Sequence, residues 1–245
     1  MPADKLERYW TEQSNLIRAI LQRGGFTTFI QGQPNQNDIW QLPNTVLGCI
    51  DEGCSATSHH LAGSGILLGM DQCATVLKDS GVTEITSHDG CGAASLYAKR
   101  EHLDLAKADN YGIVFAQKLA EKTGLSYRHI TAQEMSRPPE FHIARLAVYD
   151  GSGNFNPAAI PGFPACFWIS RYLNPEAKEE AAISAQIALG GHGYGNLITP
   201  EEPFYFIIIG HPSNPALSVR ALLNELSSIF EQPGRISLVS LTPKK

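Results

Sequence analysis

An α/β fold with a central, mostly parallel sheet flanked by helices is the expectation for this chain, and three observations carry it. Short apolar runs such as "NTVLGCID" and "PFYFIIIG" have the composition of strands buried on both faces. Segments with apolar residues at helical spacing lie between such runs, and Gly81 and Gly124 stand where two of them should stop. The resulting order of strand, helix, strand, helix calls for parallel strands joined by right-handed crossovers.

Taken in order, residues 3 to 23 predict an amphipathic helix, with Leu6, Trp10, Ile17, Ile20 and Leu21 on one face and Gly24-Gly25 as its stop. Residues 26 to 44 are polar and rich in Pro, Asn and Gln, so they read as a crossing segment. After "NTVLGCID", the stretch "SATSHHLAGSG" reads as a loop and residues 66 to 80 as a helix. "VTEITSH" is the next strand, "GAASLYAKREHLDLAKA" a helix, residues 109 to 124 another, and "SYRHITA" a further strand. "FHIARLAVYDGSGNFNP" predicts a β-hairpin turning at Asp150-Gly151. A Pro-rich loop, helices at 175 to 189 and 214 to 230, and the strands "PFYFIIIG" and "RISLVSLT" complete the chain, with no internal repeat. One domain is expected over residues 1 to 245: an arm and crossing at 1 to 45, a core at 46 to 150 and a divergent part at 151 to 245.

The chain's 245 residues can bury a sizeable core. A net charge of -5 leaves no basic footprint, so nucleic acid is not an expected partner. No apolar run approaches the roughly 20 residues that span a bilayer, and the N-terminus lacks a signal-peptide pattern, so a cytoplasmic location is expected. Five scattered cysteines do not resemble a secreted disulfide framework. In a reducing compartment such thiols near a histidine read as metal ligands or catalytic groups.

Two predicted strands end in metal-ligand residue types: Cys49 and Asp51 close one, His88 and Cys91 the other. Ligands of open α/β sheets bind at the carboxyl ends of strands, so adjacency of these two strands would bring the four residues together. Cys91 would open a helix, where the dipole favours a thiolate. Two thiolates and an imidazole suit zinc.

"CIDEG" and "HDGC", in this order and each at a strand end, resemble the Cys-x-Asp-x-Arg and His-x-x-Cys motifs of the beta-class carbonic anhydrases. The resemblance covers roughly residues 46 to 150, including "ARLAVYDGSG", which is similar to the strand closing that family's sheet. It implies Zn2+ held by Cys49, His88 and Cys91, with Asp51 hydrogen-bonded to a metal-bound water whose pKa falls from about 15.7 toward about 7. It further implies a lyase converting carbon dioxide to bicarbonate, and a homodimer or higher homo-oligomer in which the N-terminal helix crosses a partner subunit.

Gly53 stands where that family has an arginine holding the aspartate off the metal. Either Asp51 becomes the fourth ligand and closes the site, or another cation holds it, with Lys99, Arg100 and Arg171 as the candidates. Weak carbonic anhydrase activity, or slower hydrolysis of carbonyl sulfide or carbon disulfide, follows from the loss. The alternative is a non-catalytic protein with a closed structural zinc site, using Asp51 or Cys54, and a partner-binding role. A thiol redox role for Cys49 and Cys54 has the wrong spacing for C-x-x-C chemistry.

The remaining polar residues have plainer readings. Glu52 and Asp89 are expected on a solvated rim, His59 and His60 facing solvent, and Cys73 and Cys166 in packing. "LGGHGYGN", residues 189 to 196, reads as a helix cap and turn, or as a lid supplying His192 or Tyr194. His211 reads as part of a turn.

Overall fold

The computed structural model describes residues 3–42, 46–54, 58–227, 230 and 234–243. The start of "NTVLGCID" and the loop after Cys54 therefore fall partly outside the described residues. Three helices come first: α1 (Ala3–Gln22), α2 (Gly25–Gln31) and α3 (Gln36–Ile39). The first sheet follows, with β1 (Val46–Gly48), β2 (His59–His60), α4 (Met70–Leu77), β3 (Glu84–His88), α5 (Gly92–Arg100), α6 (Ala108–Thr123) and β4 (Ser126–Ile130). The second half comprises β5 (Leu146–Asp150), β6 (Cys166–Ile169), α7 (Lys178–Leu189), β7 (Phe204–Ile209), α8 (Val219–Ser227) and β8 (Ile236–Leu241).

The expected α/β class holds, and every strand pairing among the described residues is parallel. The single central sheet does not. Four strands form one sheet in the order β2-β1-β3-β4, and four more form a second in the order β6-β5-β7-β8. Both halves thus share one topology, a structural repeat that the sequence does not display. The predicted hairpin at Asp150-Gly151 is replaced by a strand end: β5 lies between β6 and β7, parallel to both. All five residues of β5 are buried, as two-sided packing requires. The turn signal is local instead, because the Asp150 carboxylate accepts from the Ser152 hydroxyl (2.6 Å) and the Ser152 and Gly153 amides. "ARLAVYDGSG" accordingly belongs to the second sheet and does not close the first.

The two sheets meet edge to edge. The amide of Trp168 donates to Ile50 O (3.0 Å), that of Ser170 to His60 O (3.0 Å), and that of His60 to the Ser170 hydroxyl (2.9 Å). One apolar cluster crosses this seam, with Cys49, Ile50 and Cys91 from the first half and Phe167, Ile169 and Ala181 from the second. Residues 49 to 51 therefore run along the junction between the halves.

The polar crossing expected at 26 to 44 contains α2 and α3, which bury Phe26, Phe29, Ile30 and Ile39. Their core-facing residues join Ile17 and Ile20 of α1 against the second sheet. Each such fully buried side chain is worth about 1.5–3 kcal/mol. α1 also docks through polar contacts on the same half. Gln13 accepts from the Ala165 amide (2.8 Å), and buried Arg145 donates to the Ser14 hydroxyl (2.6 Å) while lying 3.7 Å from the Trp10 ring centre. α1 thus lies against the C-terminal half of its own chain. The expected helix at 214 to 230 is shorter, a 3-10 turn at Pro215–Leu217 preceding α8.

Glu180 of α7 ties the halves at a second point. It is 3% exposed and accepts from the Ala62 amide (2.7 Å) through Oε1. Burial pushes its carboxyl up to about 8. A carboxyl whose pKa is raised on folding gives stability that is present below its unfolded pKa, near 4.3, and lost as pH rises toward about 8. Denaturant unfolding of Glu180→Gln across this range should show a flatter pH dependence than the parent and higher stability at its alkaline end. An unchanged slope would remove Glu180 as its source.

Candidate metal centre

β1 and β3 are neighbours in the first sheet, so the residues following them emerge side by side. Cys49, His88 and Cys91 come together there, each buried, with their ligand atoms within 4.8 Å of one another. Local structure aims each of them. His88 ends β3, and its Nδ1 lies 2.9 Å from Asp89 O, a contact that places the ring proton on Nδ1. Nε2 is then the nitrogen left for a metal, and it is buried with no hydrogen-bond partner in the protein. Cys91 precedes the first turn of α5, its amide and that of Gly90 held by Asp109 at 3.2 and 3.0 Å. Cys49 Sγ accepts from the Gly63 amide at 3.2 Å. Glycine suits that position twice over: its φ is +55°, and a Cβ there would lie 2.7 Å from Ile66 Cγ2 and 3.4 Å from Cys91 Sγ.

The donor set fits a soft or borderline dication. Its hydrogen bond with Cys91 and its burial push the Cys49 thiol well up. For His88, burial works against charge, but Cys49 and Asp51 lift it to about 9. The Cys49 thiol keeps its proton until a cation replaces it. The orphaned Nε2 and the paired sulfurs point to the same occupant. Cys54 is buried but does not belong to this cluster.

Asp51 is not drawn toward the cluster as a fourth ligand. Arg137 donates to both its oxygens, Nε to Oδ1 and Nη2 to Oδ2, each at 2.7 Å. The Gly53 amide donates to Oδ1 at 2.8 Å. Burial by itself would raise the carboxyl, yet Arg137, with His88 and His142, holds it well below the usual carboxylate range. Both partners of this ion pair have side chains only 4% exposed.

The cation is therefore none of the three candidates. Arg100 pairs with Glu179, Arg171 with Glu225, and Lys99 is exposed. Arg137 reaches Asp51 because its segment docks along residues 52 to 54. Ser136 donates its amide to Gly53 O (3.2 Å) and its hydroxyl to Glu52 O (2.9 Å), while Pro138-Pro139 favours extended backbone before it. Gly53 explains itself in the same geometry. A Cβ there would lie 2.5 Å from Met135 Cε, 3.0 Å from Asp51 Oδ1 and 3.1 Å from Arg137 Cγ. The volume that a side chain at 53 would need is occupied by Met135, Asp51 and Arg137.

Several other expectations are corrected. Glu52 is buried and not on a rim: it accepts from the Ile143 amide (2.7 Å) and pairs with His142 Nδ1 (2.9 Å). Burial opposes charge on His142, but Glu52 and Asp51 raise its pKa. His59 and His60 are buried in β2 rather than solvent-facing. Burial pulls His59 down to about 4. His60 stacks on Trp168 with ring centres 4.4 Å apart, and its Nδ1 lies 2.7 Å from Cys49 O. Tyr194 is no lid: it is buried, donates to Ile143 O (3.0 Å) and packs against Trp10. His192 is exposed, and its carbonyl accepts from the His142 amide at 2.7 Å. His211 Nδ1 accepts from the Ser213 and Asn214 amides, a turn as expected. Cys73 is core, Cys166 is half-buried, and Asp89 holds His129 (3.0 Å) and the Ala132 amide (2.9 Å).

Among the described residues no helix is long and apolar enough to cross a membrane. Comparison with protein-family models, curated proteins and solved structures gave no match, so the reading of this centre rests on its own geometry.

Proposed function

We propose that this chain is a zinc-dependent lyase that hydrates carbon dioxide, or a slower hydrolase of carbonyl sulfide or carbon disulfide. The observation that carries the reading is the Asp51–Arg137 pair beside the Cys49, His88 and Cys91 cluster. Those three residues would hold the zinc, which would supply a Lewis acid able to acidify water. Asp51, ionised and accepting only, selects a protonated species next to it and orients its lone pairs. Arg137 keeps the carboxylate from turning to the metal. Carbon dioxide and water then give bicarbonate and a proton, which passes to solvent, because Arg137 holds Asp51 ionised and His142 Nδ1, 3.9 Å from Asp51 Oδ2, already donates to Glu52. The deep burial of the cluster excludes bulk water and strengthens every charge within it. The same burial favours a second reading, a structural zinc in a non-catalytic protein.

Stopped-flow hydration of carbon dioxide, from neutral to alkaline pH on protein of determined zinc content, separates the two. Stoichiometric zinc with turnover rising with pH is the expected result. Stoichiometric zinc without turnover on carbon dioxide, carbonyl sulfide or carbon disulfide would sink the enzyme reading. The expected location is the cytoplasm, and the expected assembly is a homodimer or larger.

A further inference from the structure

Two cavities reach the ion pairs beside the cluster, and neither is lined by Cys49, His88 or Cys91 themselves. The first, about 400 Å³, reaches Asp51 and Glu52. Its other walls include Ile143, Ile160, Phe163 and Trp168, with Glu12 at its edge. The second, about 510 Å³, reaches Arg137 and His142 and is completed by Lys99, His192 and the glycines on either side of Cys91. Arg137 is bonded to Asp51, and His142 to Glu52. Each pair thus has its acid on the first cavity and its base on the second. The partition between the cavities is polarised twice in the same sense.

Charges facing the two chambers reinforce that sense. The first holds Glu12, Asp51 and Glu52, with His60 stacked on Trp168 and bonded to the main chain. An anion entering it meets carboxylates. A small neutral molecule meets the apolar walls. The second chamber holds Lys99, Arg137, His142 and His192 against one acid, Glu140, which already pairs with Lys5 at 3.3 Å.

We infer that the first chamber admits a small neutral, apolar substrate and that the second binds the small oxyanion made from it, so that substrate and product use opposite sides of the Asp51–Arg137 wall. The inference rests on the hydration reading for the identity of the two ligands, but the chambers are testable without turnover. The division follows from Coulomb's law in a region of low dielectric. Walls of the first chamber come from the segment before and within β6, so the second half of the chain supplies selectivity to a centre housed in the first.

Zinc-loaded protein would be titrated with nitrate, a planar oxyanion shaped like bicarbonate that cannot react, and equilibrated with xenon followed by NMR. Lys99→Glu, at an exposed position, should weaken nitrate binding about tenfold and leave xenon uptake unchanged. Ala165→Leu should reduce xenon uptake and leave nitrate unchanged. Should that variant fail to fold, Ala158→Trp, at an exposed position on the same chamber, takes its place. Nitrate binding indifferent to Lys99→Glu overturns the assignment, as does loss of both probes in either filling variant. The expected pattern in a protein without turnover would overturn the hydration reading while leaving the chambers as assigned.

Discussion

Arg137→Ala should cost about 3–5 kcal/mol of stability, because it leaves the Asp51 carboxylate buried without its cation. It should also abolish turnover in zinc-loaded protein, since the freed carboxylate can then bind the metal. The pH dependence identifies the cause. Asp51 has a pKa lowered by folding, so its contribution is present above the unfolded value near pH 4 and is lost as pH falls below that. Denaturant unfolding of the variant should therefore lack the parent's loss of stability on the acid side. Arg137→Lys restores charge without the two-pronged geometry and should recover only part of either effect. Adding Gly53→Arg to Arg137→Ala tests the geometry directly. With the Arg137 stem gone, the flexible end of Met135 is the main obstruction to the new side chain, and partial recovery is expected. A variant as stable and as active as the parent would show that Arg137 does not govern Asp51.

Cys49→Ser and His88→Ala should each reduce the zinc content of purified protein from about one per chain to a trace. Serine is a poor substitute for a thiolate ligand, and His88 Nε2 has no hydrogen bond to the rest of the fold that would give it another role. A chelator should lower the thermal midpoint of the parent, because metal bound only to the folded state adds to its stability. The variants should start lower and not respond to chelator. Unchanged zinc in Cys49→Ser would refute the metal centre itself.

The candidate centre is legible in the sequence because each half of it is local. The spacing from His88 to Cys91 spans a strand end and a helix start, and the spacing from Cys49 to Asp51 lies within one strand exit. Such short separations survive folding, so residue type and spacing carry the chemistry. Glu52 escapes the same reasoning: acids in a turn are usually solvated, and its burial depends on His142 and Ile143, which lie far along the chain. Phe26, Phe29 and Ile30 do follow a helical spacing, but the polar residues around them dilute it. Asp150-Gly151 carries a real turn signal, and only the pairing of β5 with β6 and β7 shows that the turn ends a strand instead of reversing it.

Composition, periodicity and short spacing are enough to establish the α/β class and the strand ends that carry ligand residues, while an arginine expected at Gly53 comes from the family resemblance alone. They are silent on what replaces that arginine, on how the second half repeats the first sheet, and on which half the N-terminal helix covers. No periodicity links Arg137 to Asp51, and strand order leaves no mark on residue identity. Both arise from packing between segments distant in the chain, where burial and electrostatics select the partner.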